Sequence, residues 1–299
     1  MRGRDLRRRM AKKRVCYLMV GPYLLLFLLF TVIPVIMSIG LSFTYYNLFE
    51  TPRMVFLDNY RGLFISDDVF LTALRNTLLI AVITGPLSYA ACFLLAWMIT
   101  DLPPLLRALL TTVFYAPSIS GAMYMIWQMI FSSDSYGYVN AVLMRLGILN
   151  DPVLWLEDSH TVLAVVIIVS VWLSLGTSFL AFIAGLQGVD KSLYEAASVD
   201  GITNRFQELW YVTLPAMRPQ LMFGAVMQIT AAFGVGDVSA NLAGLPSVDY
   251  AAHTIVNHIT DYGYTRFEMG YASAVATILF LMMVGSNKLV QNLLRKVGN

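Results

Sequence analysis

The sequence predicts an all-α integral membrane protein with six transmembrane helices, and three observations support this fold class. Of the 299 residues, 58% are apolar and only 13% are charged, which is more apolar than a soluble domain usually is. Six apolar runs reach the roughly 20 residues that a helix needs to cross about 30 Å of hydrocarbon. Lys and Arg are concentrated in alternate connections between these runs. This pattern is typical of a multi-pass membrane protein, in which every second connection is cytoplasmic and retains positive charge.

Each apolar run can satisfy its backbone polar groups internally as a helix, which a bilayer demands. The predicted spans are, in order, Tyr17–Leu41, Asn76–Thr100, Leu106–Phe131, Val162–Gln187, Leu221–Ala240 and Tyr271–Leu293. Residues 1–16 form a basic tail, and residues 17–299 form one transmembrane domain. The first span is long and lacks a small-residue cleavage site, so we interpret it as an uncleaved anchor.

Positive charge gives the orientation of the spans. With this segmentation, fifteen of the twenty Lys and Arg residues fall on the side of the basic tail. Cytoplasmic connections retain positive charge. We therefore predict a multi-pass protein of the cell membrane with both termini in the cytoplasm. The tail lies next to a span, so we expect it to meet anionic membrane lipid and not nucleic acid.

The sequence contains no pattern for catalysis or metal binding. Cys16 and Cys92 lie at or inside different spans without the spacing of a redox or metal motif. His253 and His258 are five residues apart, which does not place two ligands on one helical face. Nucleotide-binding, zinc and hydrolase signatures were not found. We predict no catalytic residue, no cofactor and no metal, so any input of ATP energy must come through another subunit.

The connection over residues 188–220 has an unusual pattern, and its first part predicts a short helix. Ser192 to Val199 are good helix formers, with Ser192 placed as the N-cap and Glu195 as its capping-box partner. Gly201 follows and permits a turn that a Cβ atom would resist.

The second part of this connection predicts another short helix, from Thr203 to Val212. Leu214-Pro215 is expected to end it, because proline cannot continue the hydrogen-bond ladder. The connection is therefore predicted to fold as helix, turn and helix, on the cytoplasmic side of the membrane.

Several positions of this connection match a known motif: Glu195-Ala196-Ala197, Asp200-Gly201, Leu214-Pro215 and Pro219. They resemble the cytoplasmic EAA motif of permease subunits in binding-protein-dependent ABC importers, where the loop forms coupling helices that sit in a cleft of the ATP-hydrolysing subunit. The resemblance implies ATPase-coupling roles for Glu195, Ala196, Ala197, Asp200, Gly201, Leu214 and Pro215. Glu195 would offer charge and Gly201 the bend. Between Gly201 and Leu214 this chain has one residue more than the commonest family spacing.

Four further stretches extend the resemblance nearly end to end, and they are similar to the permeases for maltose and glycerol phosphate. They read GPYLLLFLLFTVIPVIMSIGLSFTYYN, LDNYRGLF with the following ALRNTL, RALLTTVFYAPSISGAMYMIWQMIF, and RFEMGYASAVATILF. The resemblance implies a carbohydrate as substrate. It also implies three kinds of partner: a second, different permease subunit, two ATP-binding-cassette ATPase subunits, and an extracytoplasmic solute-binding protein.

Polar and aromatic side chains inside the spans are candidates for the substrate pathway, because a sugar needs hydrogen-bond partners and ring faces. The candidates are Gln128, Trp172, Ser174, Thr177, Gln228 and Asp237, with Leu173 added by the resemblance. Each has a purely structural alternative, since hydroxyls bond back to their own helix and amides link neighbouring helices. Asp237 stands out, because an ionisable group at membrane depth usually lines water or pairs with another group.

Two alternative functions stay open. The chain could be a permease of the same superfamily that moves a solute other than a sugar. It could also be an ion-coupled secondary transporter, which would use buried carboxylates between inverted repeats. Carboxylates are almost absent from the interior of the predicted spans, and this transporter class gives the connection over residues 188–220 no role.

Overall fold

Helices dominate the structure, a computed structural model that describes residues 14–121 and 123–296. Five helical segments are long and apolar enough to cross a membrane: Tyr17–Leu41, Asp68–Thr100, Val162–Gln187, Arg218–Ala243 and Met269–Leu294. A sixth forms if the bent pair Pro104–Ile119 and Met123–Ile130 counts as one. We number them span one to span six in chain order. The predicted all-α, multi-pass architecture is confirmed, and the predicted tail over residues 1–16 lies almost entirely outside the described residues.

Span three is broken, which corrects the prediction of one continuous helix over Leu106–Phe131. Its halves, Pro104–Ile119 and Met123–Ile130, meet at 86°. Pro117 lies inside the first half, and Ser120 after it adopts an extended backbone. A proline within a helix removes a ladder hydrogen bond and clashes with the preceding turn, so it is a common cause of a sharp bend.

Spans four and five keep their predicted extent within a few residues but are also interrupted. Span four consists of the helices Val162–Leu173 and Thr177–Gln187. Span five consists of Arg218–Phe233 and Gly236–Ala243. Both interruptions contain a glycine, Gly176 in span four and Gly234 in span five. Glycine has little preference for helical over other backbone conformations, so a helix ends there at low cost.

Span two begins earlier than predicted, at Asp68 and not at Asn76. The carboxylate of Asp67 caps it and accepts a hydrogen bond of 2.8 Å from the backbone N–H of Phe70. With this cap the helix includes residues 68–75, which a prediction from hydropathy alone leaves outside the span. Span six runs to Lys296. The helical segment that includes span one begins before it and consists of the helix Arg14–Phe27, a π turn at Leu28–Val32 and the helix Ile33–Leu41.

The connections contain short elements. The strands Thr44–Tyr45 and Arg53–Met54 pair antiparallel, with Thr44 opposite Met54. The short helices are Asp58–Ile65, Tyr138–Arg145, Lys191–Val199, Arg205–Glu208, Leu214–Ala216 and Ile255–Thr260, with a 3₁₀ turn at Val248–Tyr250 and π turns at Leu209–Thr213 and Asp261–Thr265.

Spans two, four and five form the centre of the bundle. The ring of Phe182 on span four packs edge-on against Tyr89 and Phe93 of span two, at centroid distances of 5.4 and 5.6 Å. Gly224 brings span five against the same ring, because a Cβ atom there would lie 2.4 Å from Phe182. Small residues at such crossings let helix backbones approach closely in membrane proteins.

The connection between spans three and four folds around Asn140, whose side chain is fully buried. Its Nδ2 donates to the carbonyls of Ser132, Asp134 and Val153 at 3.0 to 3.2 Å. Its Oδ1 accepts from the Val153 backbone at 3.1 Å and from Trp155 Nε1 at 2.8 Å. One amide thus organises this lobe.

Span one has no buried residue in its most apolar window, whereas 28 to 44% of the corresponding window is buried in spans two, four, five and six. It packs along span six. Most of its surface is therefore left for lipid or for another chain.

Candidate functional site

A cavity of about 370 Å³ with a mixed polar and apolar wall lies where spans three, four and five are interrupted. Each interruption contributes to its wall: Ser120 and Gly121 from span three, Ser174 from span four, and Gly234 and Val235 from span five. Irregular backbone at membrane depth is tolerated where it is buried in protein or lines a cavity that holds water. The convergence of three interruptions therefore marks this cavity as a place for a polar solute.

Hydroxyl groups form most of the remaining polar wall. The cavity is lined by Thr84 and Ser88 of span two, Ser118 and Tyr124 of span three, and Ser170 of span four. Ser88 is 1% exposed, and its Oγ has no hydrogen-bond partner among the described residues. None of the described residues that line the cavity carries a charge. The Thr84, Ser118, Ser170 and Ser174 hydroxyls donate to carbonyls of their own helices and keep their acceptor capacity. The wall therefore offers hydrogen bonds without charge, which suits a neutral solute.

Of the predicted pathway residues, Leu173, Ser174 and Gln228 line this cavity. Gln228 also has a structural task. Its Nε2 donates to the backbone carbonyl of Ser174 at 3.2 Å and lies 3.1 Å from Cys92 Sγ. The amide therefore satisfies a carbonyl at the interruption of span four and connects it to span five. The Ser174 hydroxyl bonds back to the Val171 carbonyl at 2.5 Å.

The other four predicted pathway residues do not line the cavity. Gln128 Nε2 donates to the Asn241 carbonyl at 2.5 Å and ties the second half of span three to span five. Trp172 packs edge-on against the ring of Trp127. Thr177 is exposed. Asp237 is exposed in the first turn of the helix Gly236–Ala243, where a negative charge suits the helix dipole.

The connection over residues 188–220 defines what we call the loop end of the bundle, and the opposite end is the far end. Its first helix, Lys191–Val199, is capped by Asp190, which corrects the predicted cap at Ser192 with Glu195 as its box partner. The Asp190 carboxylate accepts from the Ser192 backbone N–H at 3.0 Å. This hydrogen bond holds the pKa of Asp190 below its usual value. The cap lies two residues earlier than predicted, because Asp is as good an N-cap as Ser.

Gly201 ends the first helix in the way the sequence predicts. Its φ is +89°, a conformation that side chains with a Cβ atom resist. The Ile202 N–H bonds to the Ala197 carbonyl at 3.0 Å, and the Gly201 N–H to the Ser198 carbonyl at 3.2 Å. This pair of bonds is a Schellman motif, which satisfies carbonyls at the helix end.

The second part of the connection differs from the predicted single helix over Thr203–Val212. It consists of Arg205–Glu208, a π turn at Leu209–Thr213 and Leu214–Ala216. Proline does not end it, because Pro215 occupies the first turn of the last segment, where its missing N–H is tolerated. A π turn contains one residue more than an α turn.

The predicted coupling residues differ in exposure. Glu195, Ala196, Asp200, Gly201 and Pro215 are exposed, whereas Leu214 is half-buried.

Ala197 is 7% exposed and packs against its own chain. The two parts of the connection are also joined by a 2.9 Å hydrogen bond between the Tyr194 and Thr213 hydroxyls. The exposed residues thus sit on a braced helix pair.

A buried carboxylate organises the far end of the bundle. Asp67 Oδ2 accepts from His258 Nε2 at 3.1 Å, from the Tyr271 hydroxyl at 2.8 Å and from the Tyr262 hydroxyl at 3.3 Å. Burial acts to raise the pKa of Asp67, but the hydrogen bonds from His258, Phe70 and Tyr271 outweigh it and hold the pKa well below its usual range. Sequence reasoning missed this network, because Asp67 is remote in sequence from its three side-chain partners.

His253 lies next to this network and is 2% exposed. Neither ring nitrogen has a hydrogen-bond partner among the described residues. Its ring packs edge-on against Tyr250 and His258. Burial, with a smaller contribution from His258, lowers the pKa of His253 to about 4. His253 is therefore neutral at physiological pH.

A helical, multi-pass chain with an uncharged cavity between broken spans has the architecture of a membrane transport component. The chain belongs to the family of binding-protein-dependent transport system inner membrane components, whose family model matches residues 102–299. This family supplies the translocation component of an ABC transporter, which is not the ATP-hydrolysing subunit.

Individual relatives agree with this assignment. The chain is 34% identical over 275 residues to the probable ABC transporter permease protein YesP of Bacillus subtilis (strain 168), covering 90% of this chain and 86% of the relative. It is 29% identical to the arabinooligosaccharides transport system permease protein AraP of the same organism, covering 92% and 86%. A chain of a bacterial ABC transporter that imports the acidic polysaccharide alginate has the same fold, with 23% identity, a TM-score of 0.78 and coverage of 99% and 100%.

Proposed function

We propose that this chain carries a carbohydrate, either a sugar or an oligosaccharide, through the cell membrane after an external solute-binding protein delivers it. The observation that carries the proposal is the uncharged, hydroxyl-lined cavity at the three helix interruptions. Its volume of about 370 Å³ falls within the range of small-molecule sites. The names of relatives support the substrate class, since AraP is named for arabinooligosaccharides and the alginate importer for a polysaccharide.

The proposed pathway uses Leu173, Ser174 and Gln228 on the cavity wall, with Ser88 as a further hydroxyl that has no hydrogen-bond partner among the described residues. The Ser88 hydroxyl and backbone groups at the interruptions would replace the hydrogen bonds that a sugar makes with water, and the other wall hydroxyls, which already donate to their own helices, would add acceptors. Gln128, Trp172, Thr177 and Asp237 act at a distance from this cavity, in helix contacts or at the surface.

The loop end is proposed to face the cytoplasm, together with both termini, because the predicted connections on this side hold most of the Lys and Arg residues. There, Glu195, Ala196, Asp200, Gly201 and Pro215 would dock on the ATPase subunit. The buried Ala197 and half-buried Leu214 would position that surface. A braced helix pair can convert closure of the ATPase into movement of the spans.

The remaining partners are a second permease subunit, two ATP-binding-cassette ATPase subunits and the solute-binding protein. The exposure of span one supports the presence of a second permease subunit. Its most apolar window has no buried residue in this chain, so it offers a long apolar face to another chain. A different second chain, and hence a heterodimer, follows from the resemblance.

Uptake by the assembled transporter in proteoliposomes tests the proposal. Labelled oligosaccharides are supplied outside with the binding protein, ATP is available to the ATPase, and ionophores collapse ion gradients. The variant Ala231→Trp places a large side chain in the cavity wall. It is matched by Ala90→Trp, at an exposed position of span two outside the cavity.

Carbohydrate uptake that needs ATP, survives ionophores and is lost in Ala231→Trp but not in Ala90→Trp supports the proposal. Uptake that ionophores abolish would instead favour an ion-coupled transporter. Uptake of a solute other than a carbohydrate, with none for sugars, would refute the substrate class.

A further inference from the structure

Arg205 joins the connection over residues 188–220 to the end of span two by three contacts. Its Nη2 donates to the Trp97 backbone carbonyl at 3.1 Å. Its guanidinium lies over the Trp97 ring, 4.6 Å from the centroid. The same nitrogen forms an ion pair with the carboxylate of Asp101. The neighbouring Phe206 packs its ring on Trp97 at 5.5 Å. Two adjacent residues of the connection therefore hold one tryptophan.

These contacts are suited to fixing a geometry. The side chains of Arg205 and Asp101 are 47% and 65% exposed, and exposed ion pairs contribute little to stability. The planar guanidinium, however, stacks on a ring and donates to a carbonyl and a carboxylate at once, which the ammonium of lysine cannot reproduce. The arrangement sets the position of the helix Arg205–Glu208 relative to span two.

The contacts of Arg205 lie at the end of span two, the helix that leads from the connection over residues 188–220 to the cavity. Trp97 is in the last turn of span two, and Asp101 follows it in the tight turn to span three. Arg107 of span three braces this turn by donating to the Thr100 carbonyl at 3.0 Å. Span two continues inward to Ser88 on the cavity wall. A helix is stiff along its axis, so a displacement at Trp97 is transmitted toward the cavity.

We propose that Arg205 is a positioning residue that latches the second part of the connection over residues 188–220 to span two, so that movement of this connection reaches the substrate cavity. Trp97 and Asp101 form the other half of this latch. The inference rests on the proposed coupling function of residues 188–220. It assigns the latch to transmission of movement and leaves docking of the ATPase to the exposed residues Glu195, Ala196, Asp200, Gly201 and Pro215.

The test uses the whole transporter in proteoliposomes and three measurements: ATPase subunit retained on purification, ATP hydrolysed, and solute moved per ATP. The variants are Arg205→Gln, Arg205→Lys and the exchange Asp101→Arg with Arg205→Asp. Lys288→Gln is the matched control, because it removes one positive charge from an exposed position on span six and Lys288 makes no ion pair among the described residues.

We expect Arg205→Gln to retain the ATPase subunit and to hydrolyse ATP, but to move about fivefold less solute per ATP. Arg205→Lys should be intermediate, and the exchange should recover part of the loss. Lys288→Gln should match the wild type.

Wild-type transport per ATP in both Arg205→Gln and Arg205→Lys would overturn the latch. Loss of the ATPase subunit from Arg205→Lys would also overturn it, since Arg205 would then belong to the docking surface. If the wild type itself retains no ATPase subunit, the proposed coupling function fails, and the latch fails with it. Poor folding of Arg205→Gln leaves the decision to Arg205→Lys, which keeps the charge.

Discussion

Acidification should destabilise this protein through His253 before it affects the buried carboxylate beside it. The ring is 2% exposed and both its nitrogens lack hydrogen-bond partners among the described residues. Desolvation disfavours the charged imidazolium. In the unfolded chain the same ring takes up a proton at an ordinary pKa. Lowering the pH therefore favours the unfolded state.

The size of the effect follows from the pKa of His253, which falls from 6.5 to about 4 on folding. A group with a lowered folded pKa contributes its full stability above the unfolded value, and that stability is lost as the pH falls toward the folded value. One pKa unit corresponds to about 1.4 kcal/mol. Between pH 6.5 and pH 5 the wild type should lose about 2 kcal/mol of unfolding free energy, or about 5 °C in Tm for a chain of this size.

Thermal unfolding of the detergent-solubilised transporter, followed by tryptophan fluorescence at pH 7.5 and pH 5, measures this loss. His253→Phe should abolish most of it, because phenylalanine fills the site without titrating and without losing a hydrogen bond. The control is His160→Phe at an exposed position, which should keep the acid loss. The contribution of Asp67 remains full in this window, since its pKa is held below the usual range. Equal acid losses in the wild type and His253→Phe would refute the reasoning.

Three further substitutions have clear expectations. Gly224→Val should destabilise the bundle by about 3 kcal/mol or more, because its Cβ would lie 2.4 Å from the Phe182 ring; Gly21→Val, with nothing near its Cβ, should keep the wild-type Tm. Asn140→Ala removes five hydrogen bonds of a buried amide and should cost about 3 kcal/mol, seen as faster proteolysis within residues 132–161. Gly201→Ala places a Cβ at φ +89° and should cost about 1 kcal/mol, with faster cleavage of the 188–220 connection; unchanged cleavage would contradict the role of that turn.

The spans were predictable because hydropathy is a local property of the chain. Each of the six predicted runs overlaps a helical segment or, for span three, a bent pair of helices. The interruptions were not predictable. Pro117, Gly176 and Gly234 stand in runs that hydropathy marks as continuous spans, and proline and glycine also occur within continuous membrane helices. Packing against neighbouring spans decides which of them bends the chain.

The candidate site was predicted only in part, for the same reason. Composition marked Gln228 as a polar group at membrane depth, and the structure places it on the cavity wall. Its bond to Ser174 depends on an interruption in another span, which its own segment does not encode. Asp237, which hydropathy places late in a span, is exposed in the first turn of the helix Gly236–Ala243. Ser88 was missed, since one serine in an apolar run carries no signal.

The backbone of the connection over residues 188–220 was predictable where local chemistry determines it. Gly201 was identified from its position after helix formers, and its positive φ agrees. The cap was misplaced because Asp190 and Ser192 are equally good N-caps two residues apart, and only the backbone distinguishes them. The π turn at Leu209–Thr213 has no sequence signature of its own.

The most direct test of the coupling role is co-purification of the transporter from cells that express all its subunits, comparing the wild type with the double variant Glu195→Lys and Gly201→Pro. Glu195→Lys reverses an exposed charge on the first helix, and Gly201→Pro forbids the positive φ that ends it. The account predicts that the wild type retains the second permease and the ATPase subunit, and that the variant keeps the permease but loses the ATPase. Full retention of the ATPase subunit by the variant, with wild-type ATP-driven uptake, would contradict it.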